Sequence, residues 1–147
     1  MTFADTSYFL ALLNPDDTWH AAARKASAGL ADTILSTDWV LAEVTDAMCR
    51  GHNREKVVSF LRMLRRREDV VLLPASRELF DRGLELFGDR PDKEWSLTDC
   101  ISFVAMGERS LTQALTSDHH FAQAGFTVLL KAPEICPSYP GNRGTKS

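Results

Sequence analysis

Five short apolar runs, separated by stretches of helical periodicity, constrain this chain more than any other feature. They fall at 2–4, 33–36, 70–73, 114–116 and 127–130. The third, Val70-Val71-Leu72-Leu73, opens with β-branched residues and is stopped by Pro74, which reads as a strand. Between the runs the pattern changes. Tyr8 to Leu13 reads as a buried helix, and the Asn14-Pro15-Asp16-Asp17 turn follows it. Asp17 or Thr18 is expected to cap a helix over 19–29, closed by Gly29. Asp38 is expected to cap another over 39–50, ended by Gly51. A fourth helix starts at Asn53 and repeats Val57, Phe60, Leu61 and Leu64 at helical spacing. Ser76 caps a fifth, which carries Leu79, Phe80, Leu84 and Phe87. A polar connection over 88–93 leads to a sixth helix over 97–108, opened by Ser96. A short seventh surrounds Phe121.

Strands that alternate with helices predict an α/β fold: a central, mainly parallel sheet of about five short strands flanked by helices. Right-handed crossovers align the carboxyl ends of such strands along one edge, where ligands of these folds bind. The 147 residues suit one domain, expected over 1–132. From Pro133 the composition turns to Pro, Gly and polar residues, which predicts a tail over 133–147.

Composition removes several function classes. No apolar run approaches the width of a bilayer, and no basic region precedes the first apolar residues. A membrane partner and a signal peptide are therefore not expected. Cys49, Cys100 and Cys136 are odd in number and widely spaced, which fits a reducing cytoplasm rather than a disulfide framework. No Cys-x-x-Cys or His-Glu-x-x-His spacing occurs. His119 and His120 are expected on different sides of a helix, which argues against structural zinc. The formal charge of −3 is wrong for a protein that coats nucleic acid generally. Positive charge concentrates at Arg62, Arg65, Arg66 and Arg67. That run reads either as a solvated helix face or as phosphate contacts.

Four acids stand out by position: Asp5 after the first strand, Glu43 in the third helix, Asp99 at the start of the sixth, and Asp118 after the fourth strand. Each has an ordinary explanation. Asp5 can cap the helix that follows it. Ser96-Leu97-Thr98-Asp99 has the spacing of a capping box. Asp118 can cap the helix around Phe121. Glu43 sits beside an apolar stripe with Val40 and Ala47, where an edge position can reach water; Asp46 is the alternative helix acid. Together the four mean more. Two carboxylates about 4 Å apart repel by roughly 4 kcal/mol at an effective dielectric near 20. A fold that gathers several must protonate them or bind a cation. Oxygen-only ligands favour Mg²⁺ or Mn²⁺. Nearby hydroxyls, Thr6, Ser7, Thr116 and Ser117, can orient the carboxylates or serve as turn residues. Trp19, Trp39 and Trp95 can stack on bases or fill the core. The acids converge only if the first and fourth strands are neighbours.

At these residues the sequence resembles the PIN-domain family of metal-dependent ribonucleases, and within it the VapC-like toxins of toxin–antitoxin pairs. Phe3-Ala4-Asp5-Thr6-Ser7, Leu41-Ala42-Glu43-Val44, Ser96-Leu97-Thr98-Asp99-Cys100 and Thr116-Ser117-Asp118-His119-His120-Phe121 resemble that family's acidic motifs, in order. The resemblance implies a cytoplasmic endoribonuclease. Asp5, Asp99 and Asp118 would bind Mg²⁺ or Mn²⁺, with Glu43 completing the cage. Water would be activated against an RNA phosphodiester, with Asp118 or Glu43 as base. It further implies a homodimer, and a cognate antitoxin whose segment occupies the acidic groove. The alternative is a catalytically inactive PIN-like module that binds RNA or protein. A haloacid-dehalogenase-type phosphotransferase would need a second Asp two residues after Asp5, where Ser7 stands.

Overall fold

The computed structural model describes residues 1–132; the tail expected over 133–147 lies outside them. Strand β1 (Thr2–Ala4) is buried along its whole length and leads into helix α1 (Thr6–Leu13). Helix α2 (His20–Gly29) returns the chain to β2 (Ile34–Thr37). Next come α3 (Asp38–Ala47), α4 (Asn53–Leu64) and β3 (Val70–Leu73). Helices α5 (Arg77–Asp89) and α6 (Leu97–Glu108) precede β4 (Gln113–Leu115), α7 (His119–Gln123) and β5 (Thr127–Val128).

The sheet order is β3-β2-β1-β4-β5, and every pairing is parallel. The expected α/β architecture is therefore present, and β1 and β4 are neighbours, with Phe3 opposite Ala114 and Ala4 opposite Leu115. Chain order runs outward to one side through β2 and β3, then crosses to the other through β4 and β5. Right-handed crossovers place α1 to α4 on one face and α5 to α7 on the other. The switch point lies between β1 and β4, where folds of this kind open a crevice at the carboxyl edge.

Burial explains the elements. β1 is central and covered on both faces, so it reads as a continuous apolar run rather than an alternating one. Helix α6 is nearly enclosed: Cys100, Ile101, Phe103, Ala105 and Met106 are all buried. It abuts α5 at Gly83, where an added Cβ would lie 3.1 Å from the Cα of Ile101. Phe3, Phe103, Phe121 and Phe126 form a chain of ring contacts that holds α7 to the sheet. Trp95 is buried in the core, and Trp19 and Trp39 are half-buried and pack against the core clusters.

Several boundaries differ from the sequence expectation. Thr37, not Asp38, caps α3, its hydroxyl accepting from the Val40 N–H at 3.2 Å. Asp38 instead accepts from the Ala75 N–H at 3.1 Å and ties the start of α3 to the segment after β3. Helix α3 ends at Ala47, short of Arg50. Gly51 takes a left-handed φ of 57°, in the link to α4 rather than at a helix end. Helix α5 runs to Asp89, so Gly88 is helical, and β5 stops at Val128. These are end effects, where local pattern is weakest.

Candidate active site

The site grows from the switch point. Asp5 leaves the carboxyl end of β1, and Asp118 follows β4 by way of Thr116 and Ser117. Asp99 lies in the first turn of α6. The loop before α6 is anchored by Trp95, whose indole N–H donates to Gln123 Oε1 at 3.0 Å. That bond joins the entry of α6 to α7, and so brings Asp99 toward Asp118.

Asp5 is 4% exposed and makes no side-chain cap on α1. Its ordinary helix-start role is thus not taken. Its Oδ2 accepts from the Thr116 hydroxyl at 2.8 Å and from the Ser7 hydroxyl at 3.4 Å. Burial pushes the Asp5 carboxyl up to about 6. The Thr116 bond opposes that rise, and the charges of Asp99 and Asp118 add to it. Asp99 is raised too, first by burial and then by Asp118. Three carboxylates therefore sense one another's charge across the switch point.

The hydroxyls form the frame. Thr116 is fully buried; its Oγ1 lies 3.0 Å from Ser7 Oγ and accepts from the Asp118 N–H at 3.0 Å. The Ser117 N–H donates to Ser7 Oγ at 3.1 Å, so Ser117 enters the network through its backbone. Thr6 donates to Glu43 Oε1 at 2.7 Å. Glu43 is half-buried and reaches the site through α1, whereas Asp46 is exposed on the same helix.

Asp99 and Asp118 keep their helix-start roles alongside any other. Ser96 and Asp99 complete a reciprocal capping box, with Asp99 Oδ2 accepting the Ser96 N–H at 3.0 Å. Asp118 caps α7 by accepting the His120 N–H at 2.9 Å. The signal for His120 was missed in the sequence. Both histidines were expected on different sides of a helix, but their ring centroids are 4.4 Å apart. They open α7, and side chains at a helix start lean back over the preceding residue. Donor atoms of Asp118, His119 and His120 consequently lie within 4.8 Å of one another.

The donors suit a hard divalent ion. Carboxyls such as Asp5 and Asp99, raised by burial and by neighbouring acids, are the condition a cation relieves. Among the described residues, only the Asp118, His119 and His120 set closes to 4.8 Å. The wider spacing of Asp5, Asp99 and Asp118 suits an ion that keeps part of its water shell, as Mg²⁺ does. The arginines of the α4 end lie elsewhere: Arg67 pairs with Asp69 at the amino end of β3, opposite the acids.

Several families place acids at the switch point of a parallel sheet, and the sequence decides among them. The chain belongs to the PIN-domain family, whose model matches residues 2–127. It is homologous to the 23S rRNA-specific endonuclease VapC20 of Mycobacterium tuberculosis, with 28% identity over 129 residues, 86% of this chain and 95% of the relative. The crystal structure of that protein, described as a sarcin–ricin loop cleaving toxin, superposes with a TM-score of 0.80 at 24% identity, over 86% of this chain and 97% of the other. FitAcB from Neisseria gonorrhoeae gives 0.63 at 17% identity, over 88% and 96%. The structural likenesses establish the fold, and the resemblance read from the acidic motifs is met by the family match. PIN nucleases depend in general on divalent metal. Among the described residues, no helix is long and apolar enough to cross a membrane.

Proposed function

We propose that this protein is a divalent-metal-dependent endoribonuclease, the toxin of a type II toxin–antitoxin pair. The observation that carries the reading is the meeting of Asp5, Asp99 and Asp118 at the β1–β4 switch point, with Glu43 tied in through Thr6. Homology to a 23S rRNA-specific endonuclease supports RNA as the substrate and makes ribosomal RNA the first to test.

In this reading Asp5, Asp99, Asp118 and Glu43 would hold Mg²⁺ or Mn²⁺, which would supply positive charge at the scissile phosphate and lower the pKa of a bound water. Thr116 and Ser7 fix the orientation of Asp5, and Thr6 does the same for Glu43. Asp118 and Glu43 are the two candidate bases; one oxygen of each already accepts a hydrogen bond, from the His120 N–H and the Thr6 hydroxyl respectively. A small antitoxin would inhibit by laying a segment over the acidic edge, and the active form would be a homodimer.

The test is cleavage of 23S rRNA and of a mixed RNA pool by the full chain with Mg²⁺, with Mn²⁺, with EDTA, and by Asp5→Asn. We expect cleavage with either ion, none with EDTA, and a loss of at least a hundredfold in the variant. Full cleavage by Asp5→Asn would sink the proposed site. Retention of RNA without cleavage in any metal would leave a binding module in its place.

A further inference from the structure

Resting on the reading of the acidic edge as a ribonuclease site, we propose that His120 is a positioning residue that fixes the Asp99 carboxylate through its Nδ1–H, beside the Asp118 carboxylate that its backbone N–H holds. The ring nitrogen lies 3.1 Å from Asp99 Oδ2 and 3.5 Å from Asp118 Oδ1. A nitrogen lone pair aimed at two carboxylate oxygens would repel both, so the hydrogen sits on Nδ1 and donates. The contact to Asp99 is the hydrogen bond, and the one to Asp118 is an electrostatic approach without one.

The placement of this ring is determined from both sides. Phe121, the next residue, is fully buried between Phe3 and Phe103. The backbone N–H of His120 itself binds Asp118 Oδ1 at 2.9 Å. The side chain is 19% exposed, enough to meet water at one edge while its Nδ1 faces the acids. Asp99 and Asp118 come from different elements, and like charges at this range drive carboxylates apart. An Nδ1–H donor on Asp99, with the backbone N–H on Asp118, offsets part of that repulsion. His119 differs: it is 75% exposed and approaches only Asp118, at 3.6 Å. Two identical side chains in sequence thus take different roles.

The role is tested by substituting the donor while watching the metal as well as the reaction. Asparagine places its Nδ2–H₂ near the position of Nδ1, glutamine places its amide farther out, and alanine has no donor. Mn²⁺ binding is read from the free-ion electron paramagnetic resonance signal of the full-length variants, alongside kcat and KM for RNA. We expect His120→Ala and His120→Gln to weaken Mn²⁺ binding about tenfold or more, the size of effect usual for groups that orient metal ligands. We expect kcat to fall at least as far, with KM within about threefold. His120→Asn should recover most of both. Should the alanine variant fail to fold, the asparagine and glutamine pair still decides. Wild-type affinity in His120→Ala, equal loss in asparagine and alanine, or equal rescue by glutamine overturns the assignment. A wild type that takes up Mn²⁺ but cuts no RNA defeats the ribonuclease reading alone, and the binding comparison still judges His120. A wild type that takes up no Mn²⁺ overturns both.

Discussion

At the scale of single residues, Asp5 concentrates the tension of the site. It is almost fully buried, its partners are hydroxyls, and two further acids share its surroundings. Its carboxyl rises from an ordinary 3.8 to about 6, chiefly because burial disfavours the charge. A carboxyl raised on folding contributes stability below its unfolded value and loses it as pH climbs through the folded one. The metal-free protein should therefore weaken between about pH 4 and pH 6, by on the order of 3 kcal/mol for a shift of this size. Asp99 shifts in the same direction and adds to the trend. Asp5→Asn removes the charge and keeps the shape. In denaturant titrations without metal, the variant should match the wild type near pH 4 and exceed it above pH 6. A wild type that is as stable as Asp5→Asn at pH 7 in EDTA would contradict the burial argument. Asp5 was visible in the sequence as an acid after an apolar run. Thr116 was visible as a hydroxyl able to orient a carboxylate, but not as the partner of Asp5 in particular, because nothing local joins residues that far apart in the chain.

At the scale of elements, legibility followed the source of each signal. Ser96 and Asp99 lie within one helical turn, and their capping box was readable and is present. Ser76 caps α5 as its type and position suggest, accepting from the Leu79 N–H at 3.2 Å. Thr37 was missed because two cap-forming residues stand side by side, and the choice between them is made by Ala75, which claims the Asp38 carboxylate. Gly83 was equally silent, since an isolated glycine in a helix pattern usually means weakness. Here it is buried and lets α5 approach the backbone of α6 near Ile101. An alanine there has the better helix propensity but no room. Gly83→Ala should lower stability by up to about 2 kcal/mol, an overpacking cost of about 1–3 kcal/mol less a helix-propensity gain of about 1 kcal/mol. Chemical denaturation gives the answer, and a stabilised Gly83→Ala would mean that the helices part without cost. Because α6 carries Asp99, the same variant should also weaken RNA cleavage.

At the scale of the molecule, the acids are supplied by parts that fold from distant stretches of chain: β1, α3, α6 and the β4–α7 turn. The alternation of strands and helices was readable, and with it the carboxyl edge. The strand order was not, because the pattern of each strand specifies burial and leaves its neighbour open. Only the pairing of Phe3 with Ala114 and of Ala4 with Leu115 sets Asp5 beside Asp118. An ion held at this edge would couple both halves of the sheet, and none of the elements that supply an acid could unfold without releasing it. Binding to the folded state alone stabilises by about 2.7 kcal/mol at a hundredfold excess over Kd. For a domain of this size that corresponds to a rise in Tm of roughly 5–10 °C. Millimolar Mg²⁺ or Mn²⁺ should therefore raise the Tm of the wild type at pH 7 in one cooperative transition, and EDTA should reverse it. Asp5→Asn should begin from a higher metal-free Tm and gain little from either ion. Equal metal-induced shifts in wild type and variant would place the ion elsewhere on the molecule, and a shift confined to one of two transitions would break the coupling between the halves of the sheet.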